Sequence, residues 1–148
     1  SILFSAAHPG LSDRVNQALR RDGFMPFAPA VPVEAAPGLW RPLGDTDLGT
    51  MTVSVDAAPA FRAVCPGAVH LDGTCRPQVV TPDANPGFHA WLAAVRRLTG
   101  WPAVINTSFN LHGEPIVHTP EDALATFRAA RLDALYLDDL EVRRPDVA

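Results

Sequence analysis

Apolar positions change period along the chain, and the changes outline the elements. Ile2 to Phe4 is a short apolar run that predicts a strand, and Pro9-Gly10 breaks it. Ser12 is placed to cap a short helix over Asp13 to Leu19, with Val15, Ala18 and Leu19 on one face. Arg20-Arg21-Asp22-Gly23 reads as a charged turn. Phe24 to Val33 carries three prolines, which exclude helix and limit it to an edge strand or extended segment. Residues 34–50 are irregular, with Trp40 expected to pin them to the core. Met51, Val53 and Val55 alternate with Thr52 and Ser54, the pattern of a half-buried strand. Phe61 to Val64 leads into Ala68 to Leu71. Asp72-Gly73 then separates that run from Arg76 to Val80, which predicts a hairpin.

The second half is more regular. Asn85 or Asp83 caps a helix with Pro86 in its first turn and Gly100 at its left-handed end. Phe88, Trp91, Leu92, Val95 and Leu98 fall on one face of it. A strand over Ala103 to Asn106 follows. Thr119-Pro120-Glu121-Asp122 opens a further helix, its hydroxyl capping and its acids at the positive dipole end. Ala123, Leu124, Phe127 and Ala130 form its stripe. Asp133 to Leu137 and Leu140 to Arg143 close the chain as a hairpin. Mixed strands and helices, with strands in the majority, predict one α+β or α/β domain over residues 1–148 with a twisted mixed sheet.

The stretch from Trp101 to Leu124 organises the rest. Asn106, Thr107, Ser108 and Asn110 crowd polar side chains at the end of an apolar strand. In extended backbone Ser108 and Asn110 point the same way, which suits a phosphate or an amide-like ligand. A plain turn uses the same residue types.

Composition narrows the chemistry. The chain has 148 residues, 47% of them hydrophobic, enough for a real core. Its formal charge of -4 gives no support to nucleic-acid binding. All 12 basic residues are arginines, so chemistry that needs a lysine amine is excluded for this chain alone. Cys65 and Cys75 do not make a disulfide framework, and two packed thiols in a reducing cytoplasm are expected. No apolar run approaches a membrane span. Ser1-Ile-Leu-Phe-Ser lacks the basic start of a signal peptide and begins directly in an apolar run, as if something once preceded it.

The five histidines, His8, His70, His89, His112 and His118, fit no zinc spacing. His89 is expected to be half exposed on its helix. His70, beside the hairpin, suits packing and ligand binding equally. Ser108 lacks the glycine-flanked elbow of a nucleophile, so it reads as a hydrogen-bonding group. Neither a Walker-type loop nor a dinucleotide fingerprint is present. Arg20, Arg21 and Arg76 are the candidate anion contacts. Solvated surface arginines are the ordinary case. Arg76 beside a tight turn containing Asp72, together with the polar end at Asn106 to Asn110, shifts the balance toward a phosphate grip.

Three motifs in register resemble a known family. They are Phe27-Ala-Pro-Ala-Val31, His70-Leu-Asp72-Gly-Thr-Cys-Arg76-Pro-Gln78, and Asn106-Thr-Ser-Phe-Asn110 with Gly113-Glu-Pro-Ile-Val117 and Pro120-Glu-Asp-Ala123. The chain resembles the C-terminal part of O-carbamoyltransferases of the nodulation-protein-U and cephem-carbamoylating type, from Ser1 to about Val142. The resemblance implies a YrdC-like fold and formation of carbamoyl adenylate from carbamoyl phosphate and ATP, with Mg²⁺. It implies that an N-terminal domain of the actin-like ATPase superfamily, or a partner chain, passes the carbamoyl group to an acceptor hydroxyl. By motif match Arg76, Ser108 and Asn110 hold the adenylate and carbamoyl groups, and Asn106 and Thr107 support them. Arg20 and Arg21 offset developing charge.

The match has departures. The family carries Lys-x-Arg before its Phe-Arg-Pro-Phe-Ala-Pro run. Here Arg20 or Leu19 stands in the lysine's place, depending on the spacing, and Met25 replaces an arginine. The family's N-terminal domain and its metal site lie outside this sequence. A rival reading is therefore a non-catalytic module that binds a nucleotide or a protein, with Phe24 to Val33 as its interface.

Overall fold

Among the residues that the computed structural model describes, 1–23, 27–41 and 44–145, four strands form the main sheet. They are β1 (Ile2–Ser5), β2 (Ala28–Pro32), β5 (Gln78–Val80) and β6 (Val104–Thr107), in the order β1-β6-β2-β5. β6 runs antiparallel to both of its neighbours, while β2 and β5 are parallel. Two smaller pairs complete the strands. β3 (Val55–Asp56) pairs with β4 (Thr74–Cys75), and β7 (Ala134–Leu137) pairs with β8 (Leu140–Arg143) as the expected closing hairpin. The helices are α1 (Pro9–Ala18), α2 (Pro59–Val64), α3 (Pro86–Thr99) and α4 (Pro120–Ala129). This is the single α+β domain with a mixed sheet that the sequence predicts.

The sheet has two different faces. Ala30, Val80 and Val104 pack under Leu92 of α3, with Phe88 and Val95 alongside. Ile2, Val31 and Ile105 join the larger core, which gathers Leu19, Phe61, Phe109 and Phe127. Trp40 is buried there as expected, its ring 6.1 Å from and edge-on to Phe61. Cys65 and Cys75 are free thiols, fully buried. Burial pushes the Cys65 thiol up to about 11 and the Cys75 thiol up to about 12, so both stay protonated and unreactive.

Several expectations are corrected. Pro9-Gly10 opens α1 instead of breaking a strand, because the first-turn N–H that proline lacks has no helical partner anyway. Ser12 does not cap; its hydroxyl donates to the Gly67 carbonyl at 3.0 Å. The proline-rich run gives a central strand, since β2 lies between β6 and β5. Its ladder to β5 begins only at Ala30, one residue after Pro29, and Pro32 ends the strand. The rest of that run, residues 24–26 with Met25, lies outside the described residues, as does Pro42. The alternating stretch from Met51 shrinks to Val55–Asp56, the two residues that pair with the two-residue strand β4, and Met51 itself takes a left-handed conformation, φ 61°. The turn at Asp72-Gly73 forms, with Gly73 N–H donating to the His70 carbonyl at 2.9 Å and Gly73 at φ 83°. Its arms then part. β4 joins β3, and β5 joins β2. Along α3, Trp91 and Leu98 stay exposed, at 42% and 79%.

Candidate anion-binding site

α1 ends in a way that aims one arginine inward and its neighbour outward. Leu19 caps the helix and is fully buried. Arg20 adopts φ 56°, and its N–H donates to the Gln17 carbonyl at 3.1 Å. The Arg21 N–H donates to the Asn16 carbonyl at 2.8 Å. This nested pair of bonds is a Schellman ending with arginine where glycine is usual. It leaves Arg20 exposed and turns the half-buried Arg21 toward the end of β6.

The Arg21 guanidinium gathers the polar loop. Its Nη1 donates to Thr107 Oγ1 at 2.6 Å. Its Nη2 donates to Ser108 Oγ at 2.8 Å, the Ser108 carbonyl at 3.1 Å, Asn110 Oδ1 at 3.1 Å and the Asn110 carbonyl at 3.5 Å. One NH₂ group has two hydrogens to share among these oxygens. The loop is pinned from behind. The His112 N–H donates to the Leu19 carbonyl at 2.8 Å, and Phe109 and Leu111 are buried. The Asn110 Nδ2 donates to the carbonyls of Leu111 and Glu114 at 2.9 and 3.0 Å. Among the described residues, every oxygen around Arg21 is neutral and no carboxylate pairs with it. Burial lowers its pKa, yet a guanidinium keeps its charge. A cation held among neutral acceptors, next to the exposed hydroxyl of Ser108, is suited to receive an anion.

The other predicted residues divide around this centre. Asn106 and Thr107 point to opposite faces of β6. Thr107 meets Arg21, whereas Asn106 donates from Nδ2 to Gln78 Oε1 at 2.8 Å on the α3 side. Ser108 and Asn110 do meet, but through Arg21, because the strand ends at Thr107. Arg76 is half-buried between β4 and β5, and its charge is felt at His70. The guanidinium that grips Ser108 and Asn110 is thus Arg21's, not the one past the turn. His70 Nδ1 lies 3.0 Å from Thr74 Oγ1, whose hydroxyl donates to Asp72 Oδ1 at 2.7 Å. Gln78, which the structure brings to Asn106, is not among the candidates named from the sequence. Its only signal was a carboxamide in an otherwise apolar strand, two positions beyond Arg76.

Comparison with known proteins decides the family. The chain matches the family described as "Carbamoyltransferase C-terminus" over residues 1–144. The chain belongs to this family. Among relatives, the domain is 37% identical to the uncharacterized protein MJ1058 of Methanocaldococcus jannaschii, over 97% of this chain and 24% of that protein. It is 35% identical to nodulation protein NolO of Bradyrhizobium diazoefficiens, over 89% of this chain and 24% of NolO. It is 31% identical to nodulation protein U of Rhizobium tropici, over 100% of this chain and 25% of that protein. This carbamoyltransferase C-terminal domain therefore spans about a quarter of the length of these relatives. Among its described residues, no helix is long and apolar enough to cross a membrane.

Proposed function

We propose that this domain binds ATP and carbamoyl phosphate and forms carbamoyl adenylate, which an N-terminal domain or a partner chain passes to an acceptor hydroxyl. The observation that carries the reading is the Arg21 guanidinium held among Thr107, Ser108 and Asn110, with no carboxylate paired to it among the described residues, in a chain of this family. The chemistry balances with one water. Water splits carbamoyl phosphate into carbamate and inorganic phosphate. A carbamate oxygen then attacks the α-phosphorus of ATP, a C–O–P link forms, and pyrophosphate leaves with the broken bond's electron pair. No protein nucleophile is needed; the work is positioning and charge stabilisation. Arg21 and Arg76 offset phosphoryl charge, and the Ser108 hydroxyl donates to a ligand oxygen while accepting from Arg21. Asn110 holds the loop with its own carboxamide. Mg²⁺ enters on the nucleotide, whose phosphate oxygens suit it. The setting is the cytoplasm, where ATP is supplied.

One observation favours the rival, non-catalytic module. Of the two residues that can stand for the family's lysine, Leu19 is buried in the core and Arg20 is exposed, so neither adds a cation beside Arg21. Carbamoyl-phosphate-dependent ATP–pyrophosphate exchange separates the readings. Exchange by this chain is expected, with Arg21→Ala and Arg76→Ala each slowing it about a hundredfold, the scale of losing one charge-stabilising donor. Arg21→Lys should recover little, since an ammonium cannot span Thr107 and Ser108 as a planar fork does. ATP binding without exchange would leave the module. Wild-type rates in both alanine variants would move the site elsewhere.

A further inference from the structure

The contact between Asn106 and Gln78 has a chemistry of its own. Asn106 lies on β6 and is only 8% exposed, while Gln78 opens β5. β2 runs between them, and it places Ala28 opposite Asn106 and Ala30 opposite Gln78. The two alanines are short, so the two carboxamides can meet across β2 at 2.8 Å. That bond uses one donor from Asn106 and one acceptor from Gln78. Asn106 Oδ1 and Gln78 Nε2 have no side-chain or backbone partner among the described residues, and neither is among the buried unpaired side-chain atoms.

The remaining pair is one acceptor beside one donor. Reversing both amides leaves the same outcome with the roles exchanged, so it does not depend on how the nitrogen and oxygen atoms are assigned. A carbamoyl group, H₂N–C(=O)–O, presents the complement: an N–H donor next to a carbonyl acceptor. Arg76, two residues before Gln78, brings a cation to the same end of β5.

We propose that the Asn106–Gln78 pair is the carbamoyl reader of this domain, selecting an NH₂-bearing acyl phosphate over one with a methyl group in its place. The inference rests on the carbamoyl reading above. Acetyl phosphate is the natural probe, since it keeps the phosphate, the carbonyl and the size but has no N–H to offer Asn106. A site built to bond an N–H leaves its acceptor unpaired when the N–H is missing, and discriminates accordingly.

Calorimetric titration of this chain with carbamoyl phosphate, acetyl phosphate and inorganic phosphate tests it. Carbamoyl phosphate should bind about tenfold or more tightly than acetyl phosphate, the value of one well-placed hydrogen bond. Gln78→Met, close in shape but without donor or amide acceptor, should erase most of that ratio and leave inorganic phosphate binding in place. Equal affinities in the wild-type chain overturn the reader while leaving the phosphate site standing, and so does a ratio untouched by Gln78→Met. The wild-type ratio decides alone if the variant fails to fold. Binding of none of the three ligands overturns the underlying carbamoyl reading, and the reader with it.

Discussion

Thr74 has a single hydroxyl proton, and the Asp72 carboxylate takes it at 2.7 Å. Toward His70, 3.0 Å away, the same oxygen can then only accept, so Nδ1 must carry the ring proton and Nε2 a lone pair. The Nε2 atom is buried without a partner. Burial lowers the His70 pKa from 6.5; Asp72 opposes that shift and Arg76 adds to it. Two consequences follow at this residue. NMR titration should place the His70 midpoint below 6.5, and Asp72→Asn should lower it further; a midpoint that rises in that variant would break the account. The unfolded chain, whose histidine keeps its ordinary pKa, binds the extra proton first. Stability from this group is therefore complete above 6.5 and is lost as pH falls from there through the folded value. Asp72 acts in the same direction lower down. Hydrogen bonds from the Thr74 N–H and hydroxyl hold its carboxyl below 3.8, so its contribution disappears as acid protonates it. The spacing His70-Leu-Asp72-Gly-Thr74 made the turn legible, but the three-membered relay depends on which lone pair faces which proton.

At the scale of elements, the C-terminus of α1 decides where the cation goes. Its left-handed residue is Arg20, and a side chain there costs about 1–2 kcal/mol that glycine avoids. Glycine loses part of that advantage through its freer unfolded state. Arg20→Gly should raise unfolding stability by about 0.5–1 kcal/mol in urea titration; a loss would mean that the exposed Arg20 side chain makes a contact worth more than the strain. This ending explains what the sequence hid. Without a glycine stop signal, Arg20 and Arg21 read as one basic pair facing either way. The helices with full signals were legible. Asn85 caps α3 by accepting from the Phe88 N–H at 3.0 Å, Gly100 ends it at φ 72°, and Thr119 with Asp122 makes a complete capping box on α4. Such signals are local, so they can be read off adjacent residues. The placement of β2 was not local. Its prolines argue for an edge, and only the late start of the β5 ladder makes a central position tolerable.

For the whole molecule, the strand order interleaves distant parts of the chain. β1 and β2 are not hydrogen-bonded to each other; both pair with β6, which arrives only at residue 104. The site inherits the same dependence, because Arg21 near the start of the chain holds Thr107, Ser108 and Asn110 near its end. Neither the sheet nor the cradle exists before β6 is in place. Ile105 sits at the middle of this arrangement, fully buried, with Phe4 opposite on one side and Pro29 on the other. Ile105→Ala removes three buried carbons where two strands meet, and should cost about 3–4 kcal/mol, within the range for such truncations in tightly packed cores. The loss should appear as a shift of one cooperative transition, with tryptophan fluorescence and far-ultraviolet circular dichroism coinciding. Trp40 reports the α2 side and Trp101 the approach to β6, so the fluorescence samples both. Two separated transitions would mean that β3, β4 and α2 hold together without the main sheet, and the dependence on β6 would fail. A single transition also fixes how ligand acts. An anion bound at Arg21 bridges segments that only the complete sheet unites, so at a hundred times its Kd it should stabilise the entire domain by about 2.7 kcal/mol, not one loop alone.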